Sequence, residues 1–442
     1  MGYKASMYNI LLEKDDNKAV VYNTFSGALA IFNIKDYDLL CTNTASSDAM
    51  ISSLLAQGFL VFDAVDEYNN YSMARREYIF GEPKELGFVI APTMRCNLKC
   101  IYCFEHTKGV SRLIDCDMDE ENMMRTISFI EKQINRHKNI ESLYIKWFGG
   151  EPLLRLDLIQ HISYALINLC NTKGLKYSSF MITNGTLLNS NNVDILSKEC
   201  RINKIQVTID GSEYFYQIYK KASAEQYRQL LANISLAARI FPVDVRLNVS
   251  RENQGEMISV YSDILDISSY SSRVNVYAAP ITECCDKFCH SMTQKEFEQF
   301  RQIFDRHVKQ NNTMNGSIYI LQTRKAVSCG SMRKDFCAIG PDGNFYRCEH
   351  EIGKLTEVIG DVRHGFYRND ADLKLLNYKL ESKCASCAVL PFCAGGCPIQ
   401  SVIYGNSIDC ETMTDRVIDK LKNEVLSKYR KHINGDVDYE DS

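Results

Sequence analysis

From residue 86 onward the apolar and polar positions repeat one figure: a short apolar run that ends in a polar or glycine-bearing turn, followed by a stretch with helical spacing. FVIAPT precedes a helix at 119–136, LYIKWFGG one at 153–173, SSFMITNG one at 190–199, KIQVTIDG one at 224–239 and VDVRLNVS one at 254–266; VNVYAAP closes the series. Apolar runs of strand length set between helices predict parallel α/β units. Six in succession predict an α/β fold with a partial (β/α)6 TIM-like barrel over 86–282. In parallel barrels the chemistry lies at the carboxyl ends of the strands. The unusual polar motifs of this region all fall there.

Before the barrel, residues 7–33 alternate in the manner of strands, with turns at Asp15-Asp16-Asn17 and Ser26-Gly27. Residues 35–63 then take helical spacing (Tyr37, Leu39, Leu40; Met50, Leu54, Leu55) and end on an apolar strand, 59–62. A winged-helix-like module over 1–80 is expected, followed by a polar link punctuated by Pro83. After the barrel, KEFEQFRQIFDRHVKQ reads as a helix within a bridge over 283–325, and a cysteine-rich extension fills 326–442.

A chain of 442 residues with 45% hydrophobic and 24% charged side chains is an ordinary globular composition of several domains. Its net charge of −4 leaves no basic footprint, so no nucleic-acid partner is expected. No apolar run is long enough to cross a bilayer and the start lacks the pattern of a signal peptide, so a cytoplasmic protein without a membrane partner is expected. In that setting the 18 cysteines point to metal binding or catalysis rather than to disulfides. Cys41, Cys116, Cys170 and Cys200 stand in apolar or helical surroundings and read as small hydrophobes.

Cys96, Cys100 and Cys103 lie on the loop after the first barrel strand. Three thiolates at this spacing can hold three corners of a cubane cluster and leave one iron open; a zinc site completed by His106 is the alternative. Phe148-Gly149-Gly150-Glu151-Pro152 ends the second strand, where two glycines let the backbone approach a ligand and a carboxylate can receive an ammonium group. Thr183-Asn184-Gly185 ends the third strand and Thr208-Ile209-Asp210-Gly211 the fourth; each also fits a plain turn.

The CxxxCxxC loop, with aromatic Tyr102 before its last cysteine, resembles the motif of the radical S-adenosylmethionine (SAM) superfamily. The resemblance implies a [4Fe-4S] cluster on Cys96, Cys100 and Cys103 whose open iron is chelated by the amino and carboxylate groups of S-adenosyl-L-methionine. Reductive cleavage of the cofactor would then give a 5′-deoxyadenosyl radical that abstracts hydrogen. It further implies that Tyr102, Gly149, Gly150, Glu151, Pro152, Asn184 and Thr208 adjoin the cofactor. Relatives carry His and then Arg after the fourth strand, where this chain has Tyr216 and Lys220; Lys220 keeps the charge without the bidentate fork. Arg246 and Asn248 on the fifth strand either face the site or lie in the barrel wall.

In the extension, Pro341-Asp342-Gly343-Asn344 is a hairpin signal expected to bring Cys337 and Cys348 together. Cys384, Cys387, Cys393 and Cys397 supply four more thiolates, and a pair of zinc sites is one reading. Together with Cys329 and Cys410 the spacing resembles the SPASM extension of the same superfamily. That resemblance implies two auxiliary [4Fe-4S] clusters, one on Cys329, Cys337, Cys348 and Cys397, the other on Cys384, Cys387, Cys393 and Cys410. Cys284, Cys285 and Cys289 match no element of the family. With the amino-terminal module, the chain resembles maturases of ribosomally synthesised peptides, of the thioether (ranthipeptide) or sactipeptide type. Such an enzyme would bind a precursor peptide through its leader by strand addition, take electrons from a flavodoxin or ferredoxin, and forge a thioether or carbon–carbon crosslink. A second resemblance is to anaerobic sulfatase maturases, which carry an Asp base after the cysteine corresponding to Cys348; here Glu349 stands in that place as a possible base.

Overall fold

The computed structural model describes residues 2–42, 47–106, 113, 115–267, 271–281, 290–311 and 325–423. The chain packs as two compact units, one drawn from the described residues within Met1–Gly81, Ile318–Cys329 and Asn377–Ser442, the other from those within Glu82–Ser317 and Gly330–Leu376. Residues 330–376, expected with the extension, thus pack in the unit that holds the barrel.

The first unit begins with β1 (Tyr3–Ala5), β2 (Asn9–Lys14), β3 (Lys18–Asn23) and β4 (Leu29–Asn33), then α1 (Ile34–Thr42), α2 (Asp48–Gln57), β5 (Leu60–Phe62) and α3 (Glu67–Phe80). Strands β2, β3 and β4 form an antiparallel sheet, and β1 pairs with β5. Alternation on β3 sends successive side chains to opposite faces. Val21 packs with Phe32, Leu40, Leu54, Phe59 and Leu60 on one side, while Val20 and Tyr22 pack on the other.

The second unit contains six parallel strands in sequential order: β6 (Glu85–Ile90), β7 (Ser142–Trp147), β8 (Lys176–Thr183), β9 (Ile202–Ile209), β10 (Val243–Val249) and β11 (Val274–Pro280). The helices between them are α4 (Glu120–Arg136), α5 (Leu156–Lys173), α6 (Ser190–Lys198), α7 (Glu213–Lys220), α8 (Ala224–Ala238) and α9 (Met257–Ile267), with α10 (Gln294–Asn311) after the barrel. Helix α4 shows why these segments fold as they do. Asp119 accepts from the Asn122 amide at 2.7 Å and starts the helix. Met123, Thr126, Ile130 and Ile134 then recur at three- and four-residue spacing and are buried. Along β7, Leu143, Ile145 and Trp147 are fully buried in the main core, and Tyr144 and Lys146 take the other face by alternation.

Helix α7 was absent from the sequence expectation, which ran from the fourth strand to 224–239. The sheet also continues past β6. β12 (Cys337–Ile339) pairs with β6 in parallel, and β13 (Asn344–Tyr346), β14 (Gly360–Asp361) and β15 (Gly365–Phe366) extend it antiparallel to ten strands. The Pro341–Gly343 turn joins β12 to β13, as its residues predict, and α11 (Asp370–Leu376) follows.

The remainder of the first unit carries α12 (Leu390–Cys393), α13 (Pro398–Val402) and α14 (Cys410–Leu421). Val389, Val417 and Leu421 cover the face of the β2–β3–β4 sheet that bears Ile10, Leu12, Val20 and Tyr22. The amino-terminal module therefore shares a hydrophobic core with the last cysteine-rich segment. Among the described residues no helix is long and apolar enough to cross a membrane.

Candidate active site

The three-cysteine loop follows β6 and is tied at its far end to α7, through Ile101 N–H to the Tyr219 carbonyl at 2.8 Å and Lys99 N–H to the Lys220 carbonyl at 3.3 Å. The helix missed in the sequence is thus a scaffold for the loop. Burial pushes the Cys96 thiol up to about 11, with the Glu151 and Cys100 charges adding to it. Burial also raises Cys100 and Cys103. Thiols so placed ionise only against a compensating cation, which a cluster supplies.

The Gly149-Gly150 turn lies hard against this loop. Gly149 has φ 128°, and a Cβ there would stand 2.2 Å from the Thr93 carbonyl oxygen; one on Gly150 would stand 2.3 Å from that of Arg95. Glycine alone permits the approach. Glu151 and Asn184 complete the contact. The Glu151 carboxylate is fully buried and accepts from Thr183 Oγ1 at 2.7 Å, Leu153 N–H at 3.1 Å and Asn184 N–H at 2.8 Å. Burial pushes its pKa up against those three donors. Thr183 and Leu153 donate to one oxygen and Asn184 to the other, so the carboxylate fastens the ends of β7 and β8 together and keeps a lone pair on Oε2 for a further donor. Asn184 in turn donates to Asn97 Oδ1 at 2.7 Å and to Cys96 Sγ at 3.8 Å.

A second buried network closes the other side. Tyr102 donates to Asp210 (2.7 Å to Oδ2), and Asn248 donates to Asp210 Oδ1 at 2.9 Å. Lys220 donates to Thr208 Oγ1 at 2.8 Å and lies 3.4 Å from Asp210. Burial works against the Lys220 ammonium, but Asp210 and Tyr102 beside it carry its pKa well above the usual lysine value. Thr208 and Lys220 are therefore brought together, a contact the sequence reading did not foresee, and it also missed their anchor, Asp210. The available signal was a carboxylate directly before a glycine at a strand end. Asp210→Asn is expected to strand a buried ammonium and cost about 3–5 kcal/mol. Chemical denaturation checks this, with Asp210→Asn/Lys220→Met recovering much of the loss. The Tyr216 hydroxyl, in the place where relatives carry His, is buried without a hydrogen-bond partner among the described residues.

On the barrel's inward face Arg246 donates to Asn248 Oδ1 at 3.0 Å, two residues along the same strand. That shared face settles its direction: it lies on the side of Asn248 and the Tyr102 network. Lys146 donates to Glu349 at 2.6 Å. His350 stacks on Phe104 with ring centroids 4.5 Å apart, and burial pushes its imidazole down, toward the neutral form. Lys146 and His350 were not singled out in the sequence.

The cysteines of the extension separate into different surroundings. The register Ala338↔Tyr346 places Cys337 opposite Arg347, and Cys337 is fully buried in the main core. Cys348 lies two residues past the end of β13, beyond the paired positions of the hairpin. Cys348 is half-buried; Cys329 and Cys397 are exposed. Cys384, Cys387, Cys393 and Cys410 line one cavity of about 80 Å³, together with Val389, Leu390, Ile408 and Met413. That volume is several times what one water requires, which is about 10–15 Å³. Among the described residues no three ligating side chains close on a point fit for a single metal ion; these thiols ring a hollow, and four thiols around an apolar hollow match the donor set of a cubane. Cys284, Cys285 and Cys289 lie outside the described residues.

The parallel partial barrel, the three-cysteine loop on its first strand and the diglycine turn that faces it make up a radical SAM domain. Residues 90–264 match the family model described as the Radical SAM superfamily. A cysteine-type anaerobic sulfatase-maturating enzyme of Clostridium perfringens is 23% identical over 341 residues, 71% of this chain and 88% of that protein. The radical SAM cyclopropyl synthase TigE of Paramaledivibacter caminithermalis is 24% identical over 222 residues, 44% of this chain and 46% of TigE. Among solved structures, native anSMEcpe with bound AdoMet shares the fold with a TM-score of 0.59 at 17% identity, over 77% of this chain and 99% of that one. Streptococcus suis SuiB bound to precursor peptide SuiA does so with a TM-score of 0.51 at 13% identity, over 89% and 95%.

Proposed function

We propose that this enzyme is a radical SAM/SPASM peptide maturase that crosslinks a ribosomally made precursor through a thioether or carbon–carbon bond. The observation that carries this reading is the amino-terminal module. Its strand β4 pairs only with β3 among the described residues and presents its other edge, with Ile31 exposed, for strand addition by a leader peptide. The fold shared with SuiB, solved with its precursor peptide, supports a peptide substrate.

In this reading Cys96, Cys100 and Cys103 hold a [4Fe-4S] cluster, and with S-adenosylmethionine bound it supplies hydrogen abstraction. The chain's own residues orient and shield. The Gly149-Gly150 turn, Glu151 and Asn184 fix one wall of the site; Tyr102, Asp210, Asn248 and Lys220 fix the other. Phe104 and His350 stack beside the loop and exclude water. Lys146 and Glu349 offer the substrate a polar pair inside the barrel. Cys384, Cys387, Cys393 and Cys410 hold an auxiliary cluster, and Cys329, Cys348 and Cys397 belong by resemblance to another, for which buried Cys337 is the weakest member. A flavodoxin or ferredoxin would donate electrons.

The decisive experiment incubates the reduced enzyme and S-adenosylmethionine with any short peptide encoded by a neighbouring open reading frame, then reads the product by mass spectrometry. Loss of two hydrogens with a segment that resists fragmentation is expected. A product that reacts with hydrazide as an aldehyde would instead establish the sulfatase-maturase reading, favoured by Glu349 beside Cys348. An unchanged peptide would count against crosslinking.

A further inference from the structure

We propose that Lys383 sets the reduction potential of the cluster held by Cys384, Cys387, Cys393 and Cys410. The proposal rests on the reading that these four thiols hold a cluster.

The cavity they line is otherwise nearly all apolar, with Val389, Leu390, Ile408 and Met413 in its wall. Two charged side chains reach it among the described residues, Glu381 and Lys383. Lys383 is the cation of the pair; it precedes Cys384 in sequence and lines the same cavity as Cys410. Its salt-bridge partner is Glu381, 2.9 Å away. Cys410 is itself the first residue of the twelve-residue helix α14, whose amino-terminal N–H groups also favour negative charge.

The potential of an iron–sulfur cluster follows its net charge, the hydrogen bonds to its sulfurs and its exposure. Reduction adds a negative charge to a group that four thiolates already make electron-rich. A cation at the rim of the cavity favours the reduced form and raises the potential, and a carboxylate at the same rim opposes it. Lys383 and Glu381 therefore act with opposite sign on one centre. They touch no substrate and no radical chemistry, so Lys383 is a positioning residue whose effect is read as a potential.

The test uses the full chain carrying Cys96→Ala, Cys100→Ala and Cys103→Ala, reconstituted with iron and sulfide and titrated potentiometrically by electron paramagnetic resonance. Iron content is read first: about eight irons per chain means both auxiliary clusters are present. Adding Lys383→Met is then expected to lower one of the two one-electron steps and leave the other in place. At a fixed applied potential its ratio of reduced to oxidised cluster falls roughly tenfold, equivalent to about 59 mV for one electron. Glu381→Gln is expected to move the same step upward, and Lys383→Arg to stay near the parent. A Lys383→Met chain with full iron and neither step moved overturns the proposal, as do two steps that move equally. About four irons or fewer in the parent chain would defeat the auxiliary-cluster reading itself, before any potential is measured.

Discussion

Alanine at Cys96, Cys100 and Cys103 together is expected to leave about eight irons per chain and to abolish release of 5′-deoxyadenosine from S-adenosylmethionine. The two readouts separate because the thiols stand in different surroundings. The three barrel cysteines share one loop, held between α7 and the Gly149-Gly150 turn. The four around the extension's cavity belong to a unit with its own core. Removing the first set takes away the cofactor's iron and leaves the folding of the other unit alone. Wild-type chain reconstituted in parallel is expected to bind about twelve irons. Anaerobic iron determination and chromatography of the nucleoside product are sufficient. Zinc in place of iron at full stoichiometry would sink the cluster assignment.

Gly150→Ala is expected to slow 5′-deoxyadenosine formation about a hundredfold, the usual penalty for displacing a reactive group by about 1 Å. The new Cβ would lie 2.3 Å from the Arg95 carbonyl oxygen and 2.6 Å from that of Met94. Both are backbone atoms of the loop that carries Cys96, so relief comes only by moving the loop. The same strain is expected to destabilise the fold by roughly 1–3 kcal/mol. Gly255→Ala is the control: its Cβ meets nothing within 4 Å, and a change under about 0.5 kcal/mol is expected. Equal damage from both substitutions in thermal and kinetic assays would contradict the steric account.

What the chain disclosed before folding was local. Strands β6 to β11 were readable because each is an apolar run bounded by turn residues, and the β12–β13 hairpin because proline, aspartate and glycine stand together. The cysteine loop was readable because its spacing alone limits what it can hold. Helix α7 escaped because its eight residues, EYFYQIYK, are aromatic and short, and interrupt what read as one link to α8. Asp210 escaped because a carboxylate before glycine is an ordinary turn; its importance comes from Tyr102, far along the chain, and from Asn248. Glu151 was noticed for its place at a strand end, but its hydrogen bonds to Thr183 and Asn184 on the next strand were not legible, because they depend on the pairing of β7 with β8. The inward placement of Cys337 depends on register with β13, which no single segment encodes.

The pairing of β12 with β6 has a consequence for how the protein is made. Cys337, Ala338 and Ile339 lie alongside Phe88, Val89 and Ile90, and the Ala91 amide donates to the Ile339 carbonyl at 2.9 Å. On the ribosome the first barrel strand therefore emerges long before the neighbour that covers its outer edge. During that interval an apolar strand stands with an open row of amides and carbonyls, the template on which nascent chains aggregate. Fragments that stop short of the hairpin should accumulate as insoluble protein even though every barrel element is present, and slow translation through residues 90–337 should increase the demand for chaperones.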